Sequence, residues 1–183
     1  MGLKMKNRRY RKTEEMILEV FFKKREGDVT MVKMAKEVGI CRATMYMHHR
    51  AIRAILSDYE KYIIAEYRLA VKRRLRLKDN LLRTLYFDML TFILKYKKIF
   101  KMFLKFDDRE ILMQMLSVLR LKTSALMTLP NGSEKIAKVY ESEIAEIIFE
   151  WGKKGFLEKE LGKVLSDIMY LTRTAKDRLM PIK

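Results

Sequence analysis

The chain of 183 residues carries 40 basic and 23 acidic side chains, a formal net charge of +17, and 49% of its residues are hydrophobic. With 2 prolines and 7 glycines it lacks the turn-forming residues that an all-β architecture needs, whereas its abundant Leu, Ile, Met, Lys and Glu favour helices. A single cysteine excludes an intrachain disulfide and is typical of a reducing compartment. We therefore predict an all-α cytoplasmic protein, either one large domain or a small domain joined to a larger one.

The positive charge is densest toward the amino terminus. Residues 1–56 hold 14 basic and 6 acidic side chains, a net charge of +8, whereas residues 81–183 hold 19 and 13, a net charge of +6. A basic surface attracts polyanions, and nucleic acid is the commonest of them. The alternative is a basic but otherwise ordinary protein, so the uneven distribution indicates DNA more strongly than the total does.

The sequence predicts no stable membrane association. The first residues are charged but lack the apolar run that a signal peptide needs. Charged residues also interrupt each apolar stretch before it reaches the ~20 uncharged residues of a membrane span. One row of lysines at helical spacing could suit an anionic membrane surface, but a packed helix with a solvated face explains it as well. That row consists of Lys95, Lys98, Lys101 and Lys105.

A helix is predicted over about Lys12–Lys24, with a preceding basic segment over residues 3–12. The basic segment is either an arm that contacts DNA or a solvated tail. Glu14 and Glu15 are placed near the positive end of the helix dipole. The predicted apolar stripe consists of Met16, Ile17, Val20 and Phe21.

Residues 30–49, with the sequence TMVKMAKEVGICRATMYMHH, have the pattern of two short helices joined by a tight turn. Thr30 can cap the first helix with its hydroxyl, and Gly39 stands where the chain must enter the left-handed region. This pattern is typical of a DNA-binding helix-turn-helix, although an ordinary helical hairpin shares it. The apolar face of the first helix repeats at i, i+3, i+4 and i+7, through Met31, Met34, Ala35 and Val38.

The second helix of this pair would present the reading face. We expect Ile40, Met47, and either Ala43 or Thr44 to pack inward, with Arg42, Tyr46 and His48 free to face a partner. The guanidinium of Arg42 can bind guanine O6 and N7 together from the start of a recognition helix. Lys33 and His48 are further candidates for phosphate contacts.

The rest of the chain predicts more helices. One long helix covers residues 51–78, one or two cover 79–106, and another, capped by Asp107 and Asp108, runs to about Met127. Residues 130–132 form a break, Ser133 caps a helix that ends at Gly152–Gly155, and a last helix spans about 158–174 before a loose tail. Methionines and aromatic residues between 81 and 127 either line an adaptable hydrophobic pocket or fill a core.

The amino-terminal third resembles the TetR/AcrR (tetracycline-repressor) family of transcriptional regulators. The family motif runs roughly Thr-Val-x-x-Ile-Ala-x-x-Ala-Gly-Val-Ser-x-x-Thr-Leu-Tyr-x-x-Phe. The chain differs from it at Cys41, where Ser is usual, at His49, where an aromatic residue is usual, and in the run Arg50-Ala51-Ile52, which lacks a usual lysine. Positions that agree are Thr30, Ala35, Gly39 with Ile40, Thr44 and Tyr46.

The resemblance implies an all-α homodimer with about nine helices. A three-helix DNA-binding domain would occupy residues 1–50, and a helical regulatory and dimerisation domain residues 51–183. The two carboxy-terminal helices would form the dimer contact, and a small hydrophobic effector would bind in the second domain. By the same resemblance Thr30 and Tyr46 contact phosphates, Thr44 contacts backbone or base, and Arg42 reads bases. The predicted DNA-binding set is Thr30, Lys33, Arg42, Ala43, Thr44, Tyr46 and His48.

Neither an enzyme nor a metal protein is predicted. No Gly-rich loop or paired catalytic motif occurs, and His48 and His49 are expected on different faces of a helix. Cys41 at a helix N-terminus beside Arg42 should have a lowered thiol pKa, so redox sensing is an alternative to a plain cap. No cofactor is expected.

The favoured hypothesis is therefore a dimeric, ligand-responsive repressor that binds a palindromic operator in double-stranded DNA. The alternative is a DNA-binding accessory or architectural protein of a mobile element that has no effector.

Overall fold

A computed structural model describes residues 8–23, 30–77, 82–105, 109–123 and 134–179 of the chain. Those residues form helices and connecting turns without a β-strand, which confirms the predicted all-α class. None of the helices in these ranges is long and apolar enough to span a membrane. The helices are α1 (Arg8–Lys23), α2 (Met31–Val38), α3 (Arg42–His48), α4 (Ile52–Arg74), α5 (Leu82–Lys95), α6 (Lys97–Lys105), α7 (Glu110–Thr123), α8 (Glu134–Lys153) and α9 (Leu161–Leu179), the last preceded by a 3₁₀ turn (Glu158–Glu160).

Most helices lie where their apolar periodicity predicted them. The long helix expected over 51–78 is α4, and the segment 79–106 divides into α5 and α6 at Tyr96. The loose tail expected after Ala175 is wrong for residues 176–179, because α9 continues to Leu179, and the remaining residues of that tail lie outside the described ones. The basic segment expected over residues 3–12 is partly wrong, because residues 8–12 form the start of α1. Its earlier part, the caps at Asp107, Asp108 and Ser133, and the break at 130–132 lie outside the described residues.

The chain divides into two compact units, residues 1–61 and 62–183, where the sequence suggested a boundary after residue 50. The division falls inside α4. In the first unit α1 packs on α2, and α2 packs on α3. Its fully buried side chains are contributed by α1, α2, α3 and the start of α4, and they include Ile17, Phe21, Met34, Met45 and Ile55.

The second unit is centred on the pair α8 and α9. Helix α8 also packs on α6 and α7, and α9 packs on α5. The turn between α8 and α9 folds back into the core, since Phe156 is fully buried at a φ of 52° and follows Gly155 at a φ of 87°. Trp151 packs edge-to-face on Phe156, with ring centroids 5.1 Å apart, and its indole N–H donates to the Leu157 carbonyl at 3.0 Å. These contacts fix the α8–α9 turn.

Two glycines of this unit should respond oppositely to alanine. At Gly152 a Cβ would overlap Leu104 Cδ1 and lie 2.8 Å from Phe156 Cζ, so Gly152→Ala should destabilise the unit by about 1–3 kcal/mol. At Gly162, in α9, a Cβ would meet no heavy atom within 4 Å. Gly162→Ala should therefore stabilise the unit by roughly 0.5–1 kcal/mol through helix propensity. Urea unfolding followed by Trp151 fluorescence measures both changes, and equal effects would contradict the packing account.

Candidate nucleic-acid interface

Helix α2 begins and ends as its sequence predicts. Thr30 has an extended backbone, and its hydroxyl accepts the Lys33 amide N–H at 3.2 Å. Gly39 lies in the left-handed region, at a φ of 76°. The amide of Ile40, the residue after it, donates to the Ala35 carbonyl at 3.0 Å. The threonine cap and the glycine turn are both confirmed, and together they set the short connection from α2 to α3.

Cys41 caps α3 in the position where a serine was expected. Its sulfur accepts the Thr44 amide N–H at 3.4 Å and lies 3.1 Å from the Thr44 hydroxyl oxygen. Hydrogen bonding to the Thr44 hydroxyl and amide lowers the pKa of this exposed thiol. The lowered pKa was expected from the helix N-terminus and from Arg42; the Thr44 hydroxyl and the amides of the first turn cause it, and Arg42 does not contribute. The thiol therefore caps α3 in the way that a serine hydroxyl would.

The inward face of α3 differs from the prediction. Met45 is fully buried, whereas Met47 is 73% exposed and Ala43 is also exposed. Residues two apart on a helix differ in direction by about 200°, so Met45 and Met47 cannot both face the core. The expected inward packing of Met47 is wrong, whereas of the two alternatives Ala43 and Thr44 it is Thr44 that turns inward. Ile40 and Thr44 are half-buried.

The outward face of α3 is continuous and has mixed chemistry. Arg42, Ala43, Tyr46 and Met47 are all exposed, with Tyr46 at 48%, and their i, i+1, i+4, i+5 spacing puts them on one side of the helix. A guanidinium, a phenol hydroxyl and two apolar groups can respectively bond guanine, bond phosphate and touch a thymine methyl. The structure thus brings together three of the predicted residues and adds Met47, which sequence reasoning assigned to the core.

The other predicted residues are not among the exposed side chains of this α3 face. Thr30 and Lys33 are exposed in the first turn of α2, and Thr44 is half-buried with its hydroxyl beside Cys41. Two exposed arginines after α3, Arg50 and Arg53, were not predicted. Their spacing of three residues at the start of a helix was the signal available in the sequence.

His48 is not free to face a partner, which corrects the prediction. Its Nδ1 lies 2.7 Å from Glu14 Oε2, and its ring stacks on Tyr10 of α1 with centroids 3.9 Å apart. The side chain is only 3% exposed. His48 therefore ties the end of α3 to α1, and a phosphate contact would require it to leave that position.

His49 contacts the same carboxylate. Its Nε2 lies 2.7 Å from Glu14 Oε1, and its side chain is also 3% exposed. The expectation that His48 and His49 face apart is wrong, because His49 is the cap of α3 with an extended backbone (φ −139°, ψ 131°) and not a helical residue. We call Glu14, His48 and His49 the Glu14 cluster. It joins α1 to the end of α3.

The carboxyl of Glu14 is held in its charged form within the Glu14 cluster. Burial raises the pKa of this carboxyl, but the hydrogen bonds from His49 and His48 outweigh burial and hold the pKa below its ordinary value of 4.5. His49 Nδ1 is buried without a hydrogen-bond partner among the described residues and lies 3.8 Å from Asp58 Oδ2 of α4. Glu14 was predicted to interact with the helix dipole, but α1 begins at Arg8, so Glu14 is mid-helix and has this specific role instead.

Over the described ranges, no group of three His, Cys, Asp or Glu side chains is arranged to hold a metal ion. The geometry of the first unit is that of a capped helix pair whose second helix exposes a mixed polar and apolar face. No protein-family profile, curated protein or solved structure matches the chain. The assignment of function therefore depends on this geometry and on the charge of the chain.

Proposed function

We propose that the protein is a DNA-binding transcriptional regulator of the TetR type, with α2 and α3 as its helix-turn-helix. The single observation that carries the proposal is the exposed face of α3, where Arg42, Tyr46 and Met47 share one side of a helix fixed at both ends. A helix of this kind reads base edges from the major groove. The exposed Arg50 and Arg53 and the net charge of +8 on residues 1–56 supply attraction to the phosphate backbone.

The second part of the proposal is a homodimer through α8 and α9. Large side chains that are exposed on these helices support it, namely Val139 at 56% and Tyr170 at 70%. Two copies related by a twofold axis would present two α3 helices to a palindromic operator. As a repressor, the dimer would release the operator when a ligand favours a separation of the two α3 helices that no longer fits successive major grooves.

Selection of genomic DNA fragments by the purified full-length chain tests this proposal. We expect enrichment of a palindrome with half-sites about 10 base pairs apart, and an affinity that falls steeply with salt. Fragments bound without sequence preference would contradict a sequence-reading regulator. Sequence-independent coating of DNA would favour the architectural alternative. Failure to bind duplex DNA at low salt would exclude both.

A further inference from the structure

The second unit contains an open groove between three helices, which we call the α4–α7–α8 groove. Its volume is about 1330 Å³, and its lining residues lie within 65–76 (the end of α4 and the turn after it), 110–120 of α7 and 138–141 of α8. This is larger than the ~300–1,000 Å³ of typical small-molecule sites, which suits an extended ligand better than a compact one.

One wall of the groove is a row of cations. Arg68 and Lys72 lie four residues apart on one side of α4, Arg76 lies in the turn that follows the end of α4 at Arg74, and all three are exposed. No carboxylate of the described residues pairs with any of them. Three like charges in a row favour an anionic group that can lie between them.

The opposite wall is less charged. Arg120 of α7 lies 2.7 Å from the carboxylate of Glu141 of α8, so these two residues neutralise each other. Glu110 and Lys138 complete the charged lining and also balance each other in formal charge. The excess positive charge of the groove therefore belongs to the α4 row.

The rest of the lining includes apolar residues, which we call its floor. They are Leu69 of α4, Leu75 in the turn after α4, and Met113 and Val118 of α7, and Leu69 is 47% exposed. Apolar surface left in water beside a cation row favours a ligand that has both an anionic head and a hydrocarbon chain. A purely hydrophobic effector would leave the cations without a partner, and a purely ionic one would leave the floor in water.

We propose that the α4–α7–α8 groove binds a free, single-chain amphipathic anion, such as a fatty carboxylate. Its head lies along Arg68, Lys72 and Arg76, and its chain lies on the apolar floor. This adds an anionic head to the small hydrophobic effector that the resemblance implied. Only the regulatory consequence, release of DNA on binding, rests on the proposed function; the binding itself does not.

Calorimetric titration of the full-length chain with decanoate tests the ligand class. Decyltrimethylammonium, with the same chain and opposite charge, should bind at least about tenfold more weakly, because the α4 row repels it. Octanoate should bind up to roughly tenfold more weakly than decanoate, because it buries two fewer methylenes. Equal binding of the cation and the anion, or preference for anionic phospholipid vesicles over free decanoate, would overturn the proposal.

Matched variants locate the site. Each of Arg68→Gln, Lys72→Gln and Arg76→Gln keeps helix propensity and should weaken decanoate binding several-fold, and the triple variant by at least about tenfold. Lys98→Gln, an exposed lysine of α6 outside the groove, should leave it unchanged. Leu69→Gln should weaken binding without changing the charge. Retained Trp151 fluorescence verifies folding, and equal losses in Lys98→Gln and the triple variant would contradict the location.

The two proposals fail separately. If decanoate binds but the chain does not bind duplex DNA, the proposed DNA-binding function is wrong and the proposed anion site is supported. If the chain binds an operator but does not bind decanoate, the proposed anion site is wrong and the proposed DNA-binding function is supported. If both bind and decanoate does not release the operator, the anion site is confirmed and its regulatory role is excluded.

Discussion

Glu14→Ala is expected to lower the free energy of unfolding of the first unit by about 2–4 kcal/mol. The substitution removes both hydrogen bonds of the Glu14 cluster and leaves His48 and His49 as buried imidazoles without their carboxylate. Losing one partner of a hydrogen bond to a charged group costs about 1.5–3 kcal/mol, and the partly exposed carboxylate keeps the total below the sum of two such bonds. The end of α3 should lose its anchor on α1.

Hydrogen exchange resolves this effect by region. Amides of α1 and α3 should exchange faster in Glu14→Ala, whereas amides around Trp151 in the second unit provide an internal reference. Glu15→Ala is the matched control, because Glu15 is the exposed neighbour on the same helix. Equal acceleration in both variants would mean that helix α1 and not the Glu14 cluster is responsible.

The same cluster should make the first unit sensitive to acid. The folded-state pKa of Glu14 lies below the value of 4.5 that it has when unfolded, so its contribution to stability is fully present above about pH 4.5. That contribution is lost as the pH falls through the lower folded-state pKa. Glu14→Gln should be less stable than wild type at neutral pH, and the difference should shrink in acid. Exchange rates of α3 amides between pH 6 and pH 3, each compared with wild type at the same pH, measure it.

The local features of the first unit could be predicted from the sequence because neighbouring residues create them. Thr30 caps the amide three residues later, and Gly39 is required by a backbone conformation at its own position. The apolar repeat of α2 likewise lies within eight residues, and all four of its members are buried. Periodicity and capping chemistry therefore predicted the start, the end and the inward face of α2.

The Glu14 cluster could not be predicted in this way. Glu14 is 34 and 35 residues from the two histidines that it binds, and no periodic pattern connects residues so far apart. The error over His48 and His49 arose from extending α3 by one residue, since a helical His49 would point away from Glu14. Choosing Met47 over Met45 for the core was an error of the same kind. In a helix of seven residues, a small shift in the assumed inward direction reverses which side chains are exposed.

The α4–α7–α8 groove likewise has one feature that could be predicted from the sequence and one that could not. The long helix α4 was predicted from the sequence, and the basic residues at its end can be identified there as well. The apolar floor that changes the meaning of these cations comes partly from α7, about forty residues away along the chain. The positive charge could be predicted from the sequence around α4 alone. Predicting the class of ligand required knowing that α4 and α7 line the same groove.

Arg42→Ala is expected to reduce sequence discrimination by about 10–100-fold. Discrimination here is the ratio of affinities for the selected operator and for a version in which its guanine is replaced. A guanidinium bound to both guanine acceptors contributes about 1–3 kcal/mol of discrimination against another base. Lys33→Ala should instead weaken binding to both sequences equally and reduce the salt dependence by about one phosphate contact. Fluorescence anisotropy with the two duplexes, repeated over a series of salt concentrations, separates these outcomes.

Arg42→Lys distinguishes base reading from charge at the same position. Lysine keeps the positive charge but lacks the planar pair of N–H donors, so it should retain attraction to DNA while losing most of the discrimination. If Arg42→Lys discriminates as well as wild type, Arg42 acts through charge alone and the base contact lies elsewhere on α3. Tyr46 and Met47 would then be the next residues to test, because they share the exposed face with Arg42 and point away from buried Met45. The outcome therefore tests both the role of Arg42 and the orientation of α3 on DNA.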